Sequence, residues 1–277
     1  AEGARLAEVL AAPAPSAGMP ATDAAALAAG LGRGEITVRF QPVVRMADRR
    51  PVMVEALARW ERPEAALGAG AFIAMAERAG LAMQLTLAVA TRAMADLSAT
   101  RAKHGLRLSF NVSLGVLLQP ELPSRLHEIV LQHRFRPDDV LLELTETTAV
   151  RDTALLRRAL LRLERSGFRV LLDDLGLDDV RHALTDLPFA GVKLDRVLIA
   201  ALPRERRARA QVERLVREAH RVGRAVIAEG MTDPVLWRIA AAAGCDLAQG
   251  YGVGRPILPE ALPAWVSAWS AAALPER

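Results

Sequence analysis

The chain has 277 residues, of which 36 are Lys or Arg and 32 Asp or Glu, for a formal net charge of +4. With 52% apolar and 25% charged residues the composition is that of a globular protein, which excludes a disordered chain and leaves room for one large domain or two small ones. A lone cysteine, Cys245, excludes a disulfide framework and a Cys-rich zinc site, and the longest uncharged stretch, residues 261–275 with two prolines, falls short of the ~20 apolar residues of a membrane helix.

In chain order, residues 1–20, rich in Ala, Pro and Gly, read as a linker, and residues 21–277 as a single domain with its own N-terminal helix. The start carries no basic region followed by an apolar run, so it is not expected to be a signal peptide, and a first residue Ala1 is expected of a segment of a longer chain. A helix capped by Thr22 or Asp23 and stopped near Gly30–Gly34 comes next. Strands are predicted over 37–44, 52–58, 106–112, 140–144, 168–172, 191–194, 225–228 and 246–249. Helices are predicted over 72–79, 82–103, 123–134, 153–166, 179–187, 204–222, 233–243 and 260–272. Eight apolar strands, each followed by a helix, predict a parallel sheet covered on both faces. Eight such units in about 250 residues are the arithmetic of a TIM-type barrel. A doubly wound open sheet is the alternative, but no Gly-x-Gly-x-x-Gly turn supports it.

The rare residues are informative. Only two of the 36 basic residues are lysine, Lys103 in a polar helix end and Lys193 in an apolar strand, and Asn111 and Tyr251 are the sole Asn and Tyr. An amine or amide retained in an apolar setting by a chain so biased toward Ala, Arg and Leu points to required chemistry. The basic run at 204–209 lies in a helical pattern with Glu213 and Glu218 and reads as a solvated face, despite an isoelectric point near 10.1. Cys245 is expected to be a small buried residue, and Trp265 with Trp269 one packing face of the last helix.

Seven of the eight predicted strands carry a polar group at or just beyond the C-terminal end: Glu55, Asn111, Glu143, the pair Asp173-Asp174, Lys193, Glu229 and Gln249. In a barrel these ends converge on one rim, where such folds build their sites. Crowded carboxylates repel one another and call for cations. Oxygen donors with one amide and no Cys or His favour Mg2+, Mn2+ or Ca2+ over zinc. Two adjacent aspartates suit the two-metal hydrolysis of a phosphoester. The five histidines form no ligand pattern, and nucleophile-elbow and P-loop motifs are absent.

These residues, with their neighbours, resemble the EAL domain family, bacterial phosphodiesterases of cyclic di-GMP. Glu55-Ala56-Leu57 continues as Ala58-Arg59-Trp60 and is preceded by Phe40-Gln41-Pro42-Val43-Val44. Asn111-Val112-Ser113, Glu143-Leu144-Thr145-Glu146, Asp173-Asp174, Lys193-Leu194-Asp195-Arg196, Ala228-Glu229-Gly230, Gln249-Gly250-Tyr251 and Arg255-Pro256 follow in order, covering about residues 35–260.

The resemblance implies a TIM-like (β/α)8 barrel whose first strand runs antiparallel to the others. It implies one ion held by Glu55, Asn111, Glu143 and Asp173, and a second held by Asp173 and Asp174 with Glu229 nearby. Mg2+ or Mn2+ would support turnover and Ca2+ binding alone. Lys193, Glu229 and Gln249 are then the catalytic group, with Lys193 positioning or deprotonating the attacking water and Gln249 orienting it as cyclic di-GMP opens to linear pGpG. Arg59 is expected on the ligand phosphate, and Gln41, Glu55, Leu57, Asp195, Arg255 and Pro256 along the ligand groove. Glu146 is expected to anchor the loop after the Asp pair. The partners implied are cyclic di-GMP, a second copy in a homodimer, and an upstream sensory or GGDEF-like domain. The setting implied is the cytoplasm, with no DNA or RNA polymer and no membrane contact from this segment.

One stretch departs from the family. Where its members typically read Phe-Gly-Thr-Gly-Tyr-Ser-Ser after the Asp pair, this chain reads Leu175-Gly176-Leu177-Asp178-Asp179-Val180-Arg181, without the second glycine and the hydroxyls. Met231-Thr232 likewise replaces the usual Val-Glu after Ala-Glu-Gly. The complete donor set argues for a phosphodiesterase, of weak or conditional activity; the altered loop argues for a catalytically inactive cyclic di-GMP receptor.

Overall fold

The computed structural model describes residues 21–61, 67–144, 150, 152–177 and 179–273; the expected linker at 1–20, Glu146 and Asp178 lie outside them. After a first helix, α1 (Ala21–Arg33), two ten-residue strands, β1 (Ile36–Arg45) and β2 (Pro51–Trp60), pair antiparallel with Gln41 opposite Glu55. The first strand is thus followed by a hairpin, not by the helix expected after every strand. Asp48 closes the turn by accepting hydrogen bonds from the Arg45 side chain (3.0 Å) and the Arg50 amide (3.1 Å). So tight a link reverses the chain at once, whereas a parallel crossover needs roughly a dozen residues.

From there the chain alternates as predicted. Helices α2 (Ala69–Arg78) and α3 (Ala82–His104) follow a two-residue strand, β3 (Leu67–Gly68), on the edge of β2. Then come β4 (Arg107–Val112), α4 (Leu114–Leu117), α5 (Leu122–Gln132), β5 (Val140–Leu144), α6 (Thr153–Arg165) and β6 (Arg169–Leu175). The second half contains β7 (Gly191–Leu194), α7 (Arg196–Ala201), α8 (Arg206–Arg221), β8 (Ala225–Ala228), α9 (Pro234–Ala242), β9 (Leu247–Gln249) and α10 (Leu262–Ala273). The segment expected as a helix over 179–187 is a 3-10 turn, Val180–Asp186, opened by the Asp179 side chain accepting from the Arg181 amide.

The strand order β1-β9-β8-β7-β6-β5-β4-β2, closed by the β1–β2 pair, makes a TIM-like barrel of eight strands. Only β1 runs antiparallel to its neighbours in it, as expected; every other pair in the ring is parallel.

Side-chain alternation divides the strands between two cores. Outward residues such as Leu108, Phe110, Leu142, Leu172, Val192 and Val226 pack under the helices. A second cluster, Val43, Met53, Leu141, Leu171 and Ile227, fills the barrel interior. Two residues further toward the open end, on the same inward face, stand Gln41, Glu55, Glu143, Asp173 and Glu229. The polar layer therefore rests on an apolar plug, which closes the site from below.

Two glycines beside site residues are dictated by space. Gly230, at φ 66°, has room for no side chain: a Cβ there would lie 2.5 Å from the Arg196 Cβ. At Gly250 it would lie 2.2 Å from the Met231 amide nitrogen. Gly250→Ala is expected to destabilise the fold by about 3 kcal/mol or more, through overpacking and a left-handed φ together, as measured by chemical denaturation. An unchanged midpoint would show that this junction can yield.

Candidate functional site

At the mouth, Lys193 rises from β7 fully inside the protein, its side chain 1% exposed. Its ammonium reaches Glu143 at 2.7 Å, Glu229 at 2.7 Å, Asp173 at 2.9 Å and Glu55 at 3.4 Å. Four strands thus aim a carboxylate at one amine. Two amides complete the ring: Asn111 Nδ2 donates to Glu55 Oε1 (2.9 Å) and Gln249 Nε2 to Glu55 Oε2 (2.6 Å). Asp174 stands at the more exposed edge, and an oxygen from each of Asp173, Asp174 and Glu229 lies within 4.8 Å of the others.

One ammonium cannot balance these acids, and the proton affinities show it. Burial drives the Glu143 carboxyl far above the ordinary range, helped by the charges of Glu55 and Asp173 against the opposing pull of Lys193. Asp173 is raised mainly by burial, and Glu229, for the same reason, is pushed up to about 8. Glu55 goes the other way: burial would raise it, but Lys193 and the bonds from Gln249 and Asn111 hold it below its usual value. Lys193 is raised well above the ordinary lysine value, the penalty of burial being outweighed by the surrounding carboxylates.

A carboxyl raised on folding contributes stability that is complete below its unfolded pKa and lost as pH climbs through the folded one. Glu143, Asp173 and Glu229 all act in that sense, while Glu55 and Lys193 contribute unchanged across the interval. With chelator present, the thermal midpoint is expected to fall as pH rises from 4.5 to about 8. Millimolar Mn2+ should recover most of it at the alkaline end; a midpoint that rises over that interval contradicts the assignment.

The donor set fits divalent cations. It consists of hard oxygens with one amide, and two buried oxygens, Glu143 Oε1 and Gln249 Oε1, have no hydrogen-bond partner among the described residues. Cations facing these oxygens would satisfy both them and the excess charge.

Above the polar layer opens a cavity of about 1020 Å3. Gln41, Glu55, Leu57, Asn111, Asp173 and Asp174 line it, as do Lys193, Glu229 and Gln249. Glu143 lies just beneath, completely buried against Lys193. Four residues expected to contact the ligand are not among those that line this cavity. Arg59 turns its guanidinium back onto the Ala58 carbonyl (2.8 Å). Asp195 caps α7 by accepting from the Val197 amide (2.7 Å), Arg255 stacks on the Tyr251 ring at 4.5 Å, and Pro256 follows it outside the cavity wall. The wall also contains Arg196, Tyr251 and Ser113, which the sequence presents only as neighbours in quoted motifs. Lys103 is exposed and Cys245 buried, as expected, and burial pushes the Cys245 thiol up to about 12.

The family described as EAL domain matches residues 24–256. A cyclic di-GMP phosphodiesterase of Pseudomonas aeruginosa is 30% identical over 230 residues, covering 82% of this chain and 39% of that protein. The bifunctional diguanylate cyclase/cyclic di-GMP phosphodiesterase MucR of the same organism is 29% identical over 242 residues, covering 86% of this chain and 35% of that protein. The chain thus spans only about a third of the length of such curated relatives. Among solved structures, the MucR phosphodiesterase in complex with c-di-GMP superposes with a TM-score of 0.77 at 28% identity, covering 85% of this chain and 97% of that one. The Klebsiella pneumoniae BlrP1 complex with manganese and cyclic di-GMP gives 0.71 at 26% identity, covering 81% of this chain and 57% of that one.

Proposed function

The chain belongs to the EAL domain family, and on that premise we propose that it hydrolyses cyclic di-GMP to linear pGpG with two divalent ions, Mg2+ or Mn2+. The observation that carries this reading is the set of four carboxylates and one lysine at the floor of a cavity of about 1020 Å3, ample for a dinucleotide.

Glu55, Asn111, Glu143 and Asp173 would hold one ion, and Asp173 with Asp174 the second, Glu229 standing beside it. Bound there, the ions would lower the pKa of water and offset charge on the phosphoryl oxygens. The chain supplies the rest. Lys193 sits centrally enough to hold the attacking water by donating to it from Nζ, its ammonium offsetting the negative charge that develops there. Gln249, fixed by its amide to Glu55, keeps Oε1 available to orient that water. The apolar plug excludes solvent from below. Attack of the water on one phosphorus breaks its bond to a ribose 3′-oxygen, which takes up the proton that the water gives up, and the ring opens. Gln41 and Leu57, on paired strands of the wall, would flank the dinucleotide.

Incubation of the chain with cyclic di-GMP and Mn2+ or Mg2+ should yield pGpG by chromatography, and chelator should stop it. Binding in Ca2+ without product in Mn2+ would make the chain a cyclic di-GMP receptor, the reading favoured by the altered stretch 175–181. No binding at all would remove both. On the same premise we infer that the chain works in the cytoplasm as a homodimer, behind a sensory or GGDEF-like domain; the bifunctional name of MucR supports the last point.

A further inference from the structure

The altered stretch contains a device of its own. Between Leu172 and Leu175 the β6–β7 ladder slips, three steps along β6 opposing two along β7 from Val192 to Leu194. Asp173 and Asp174 form the resulting bulge, and Asp174 adopts a left-handed φ of 53°. A bulge re-aims side chains at a site, but a non-glycine residue in that region costs about 1 kcal/mol or more unless its surroundings hold it.

Here a guanidinium supplies such a hold. Arg181 Nη1 donates to the Asp173 carbonyl (3.1 Å) and Nη2 to that of Asp174. Asp179 grips the same guanidinium, accepting from Nε at 3.1 and 3.0 Å and from Nη2 at 2.6 Å. Its carboxylate also accepts from the amides of Arg181 (2.8 Å) and Gly176 (3.4 Å), tying the returning chain to the strand end. The pair is largely enclosed, with 14% and 15% of its side chains exposed, and neither residue lines the cavity. Burial alone would raise the Asp179 carboxyl, yet the Arg181 bonds hold it below its ordinary value, so the grip persists at neutral pH.

We propose that Arg181, seated by Asp179, is a positioning residue: by holding the two carbonyls of the bulge it aims the carboxylates of Asp173 and Asp174 at the ion site. The proposal rests on the reading of those carboxylates as ion ligands. Only a planar fork can meet two carbonyls and a carboxylate together, so lysine is no substitute.

The test titrates Mn2+ onto the whole chain by electron paramagnetic resonance, comparing wild type with R181A, R181K and D179N. Arg217→Ala, on the exposed face of α8, serves as control. Amide exchange over residues 170–182, read by mass spectrometry in chelator, supplies a readout independent of metal and turnover. R181A and R181K should weaken Mn2+ binding about 10- to 100-fold, as loss of a ligand-orienting partner does. They should also speed exchange at residues 173–176 by about tenfold, with D179N changing both in the same direction and the control neither. If R181A fails to fold, R181K and D179N carry the comparison. Unchanged exchange, or faster exchange with wild-type Mn2+ affinity, overturns the proposal. A wild-type chain that binds Mn2+ but makes no pGpG removes the phosphodiesterase reading and leaves the titration to decide on Arg181; one that binds no Mn2+ overturns both.

Discussion

Replacing Glu55 by glutamine is expected to lower pGpG formation by about three orders of magnitude in saturating Mn2+, equivalent to about 4 kcal/mol of lost transition-state stabilisation. Glutamine keeps the volume, so the barrel should persist. It removes one charge from the ion site, and its amide cannot accept from both amides now facing the carboxylate. Asn111 and Gln249 each donate to a different Glu55 oxygen, at 2.9 and 2.6 Å, and Lys193 approaches the second at 3.4 Å. An amide nitrogen on either side therefore meets a donor. Single-turnover assays across a range of Mn2+ concentrations would separate lost chemistry from lost ion affinity. A fall of less than tenfold would remove Glu55 from the ion site.

The second large effect concerns Lys193→Met, which keeps the length of the side chain and deletes its charge. Turnover is expected to drop by roughly 10²- to 10³-fold, the scale of a lost donor to the developing charge. Cyclic di-GMP binding in Ca2+ should change far less. Stability should move as well, because Glu55, Glu143, Asp173 and Glu229 lose the one ammonium within reach of all four. Breaking a buried ion pair from one side commonly costs about 3–5 kcal/mol. The variant should therefore melt lower in chelator and recover in Mn2+, as measured by thermal denaturation in both conditions. Wild-type turnover in K193M would refute the assigned role.

Much of this arrangement is legible along the chain. Strand positions follow from apolar runs whose inward residues sit two apart: Met53 below Glu55, Leu141 below Glu143, Leu171 below Asp173 and Ile227 below Glu229. The biased composition makes Lys193 and Asn111 conspicuous, and both stand at the cavity floor. What no local pattern records is where each side chain turns: Arg59, Asp195 and Arg255 lie beside site residues in sequence, and in the structure they meet the Ala58 carbonyl, the Val197 amide of α7 and the Tyr251 ring. The helix expected after the first strand is missing because Asp48 closes a hairpin, a turn preference that outweighs the repeating pattern.

The barrel, the positions of its strands and the inventory of oxygen donors at their ends are readable along the chain, because a period of two and the polarity of single residues are local properties. The closed ring alone reveals that Lys193 bridges four carboxylates from four strands, and that the register of the antiparallel β1–β2 pair sets Gln41 opposite Glu55. It also decided that the stretch 175–181, altered though it is, returns a guanidinium to the Asp173–Asp174 bulge. Such distances arise from ring closure and from a one-residue slip between β6 and β7, which no local pattern records.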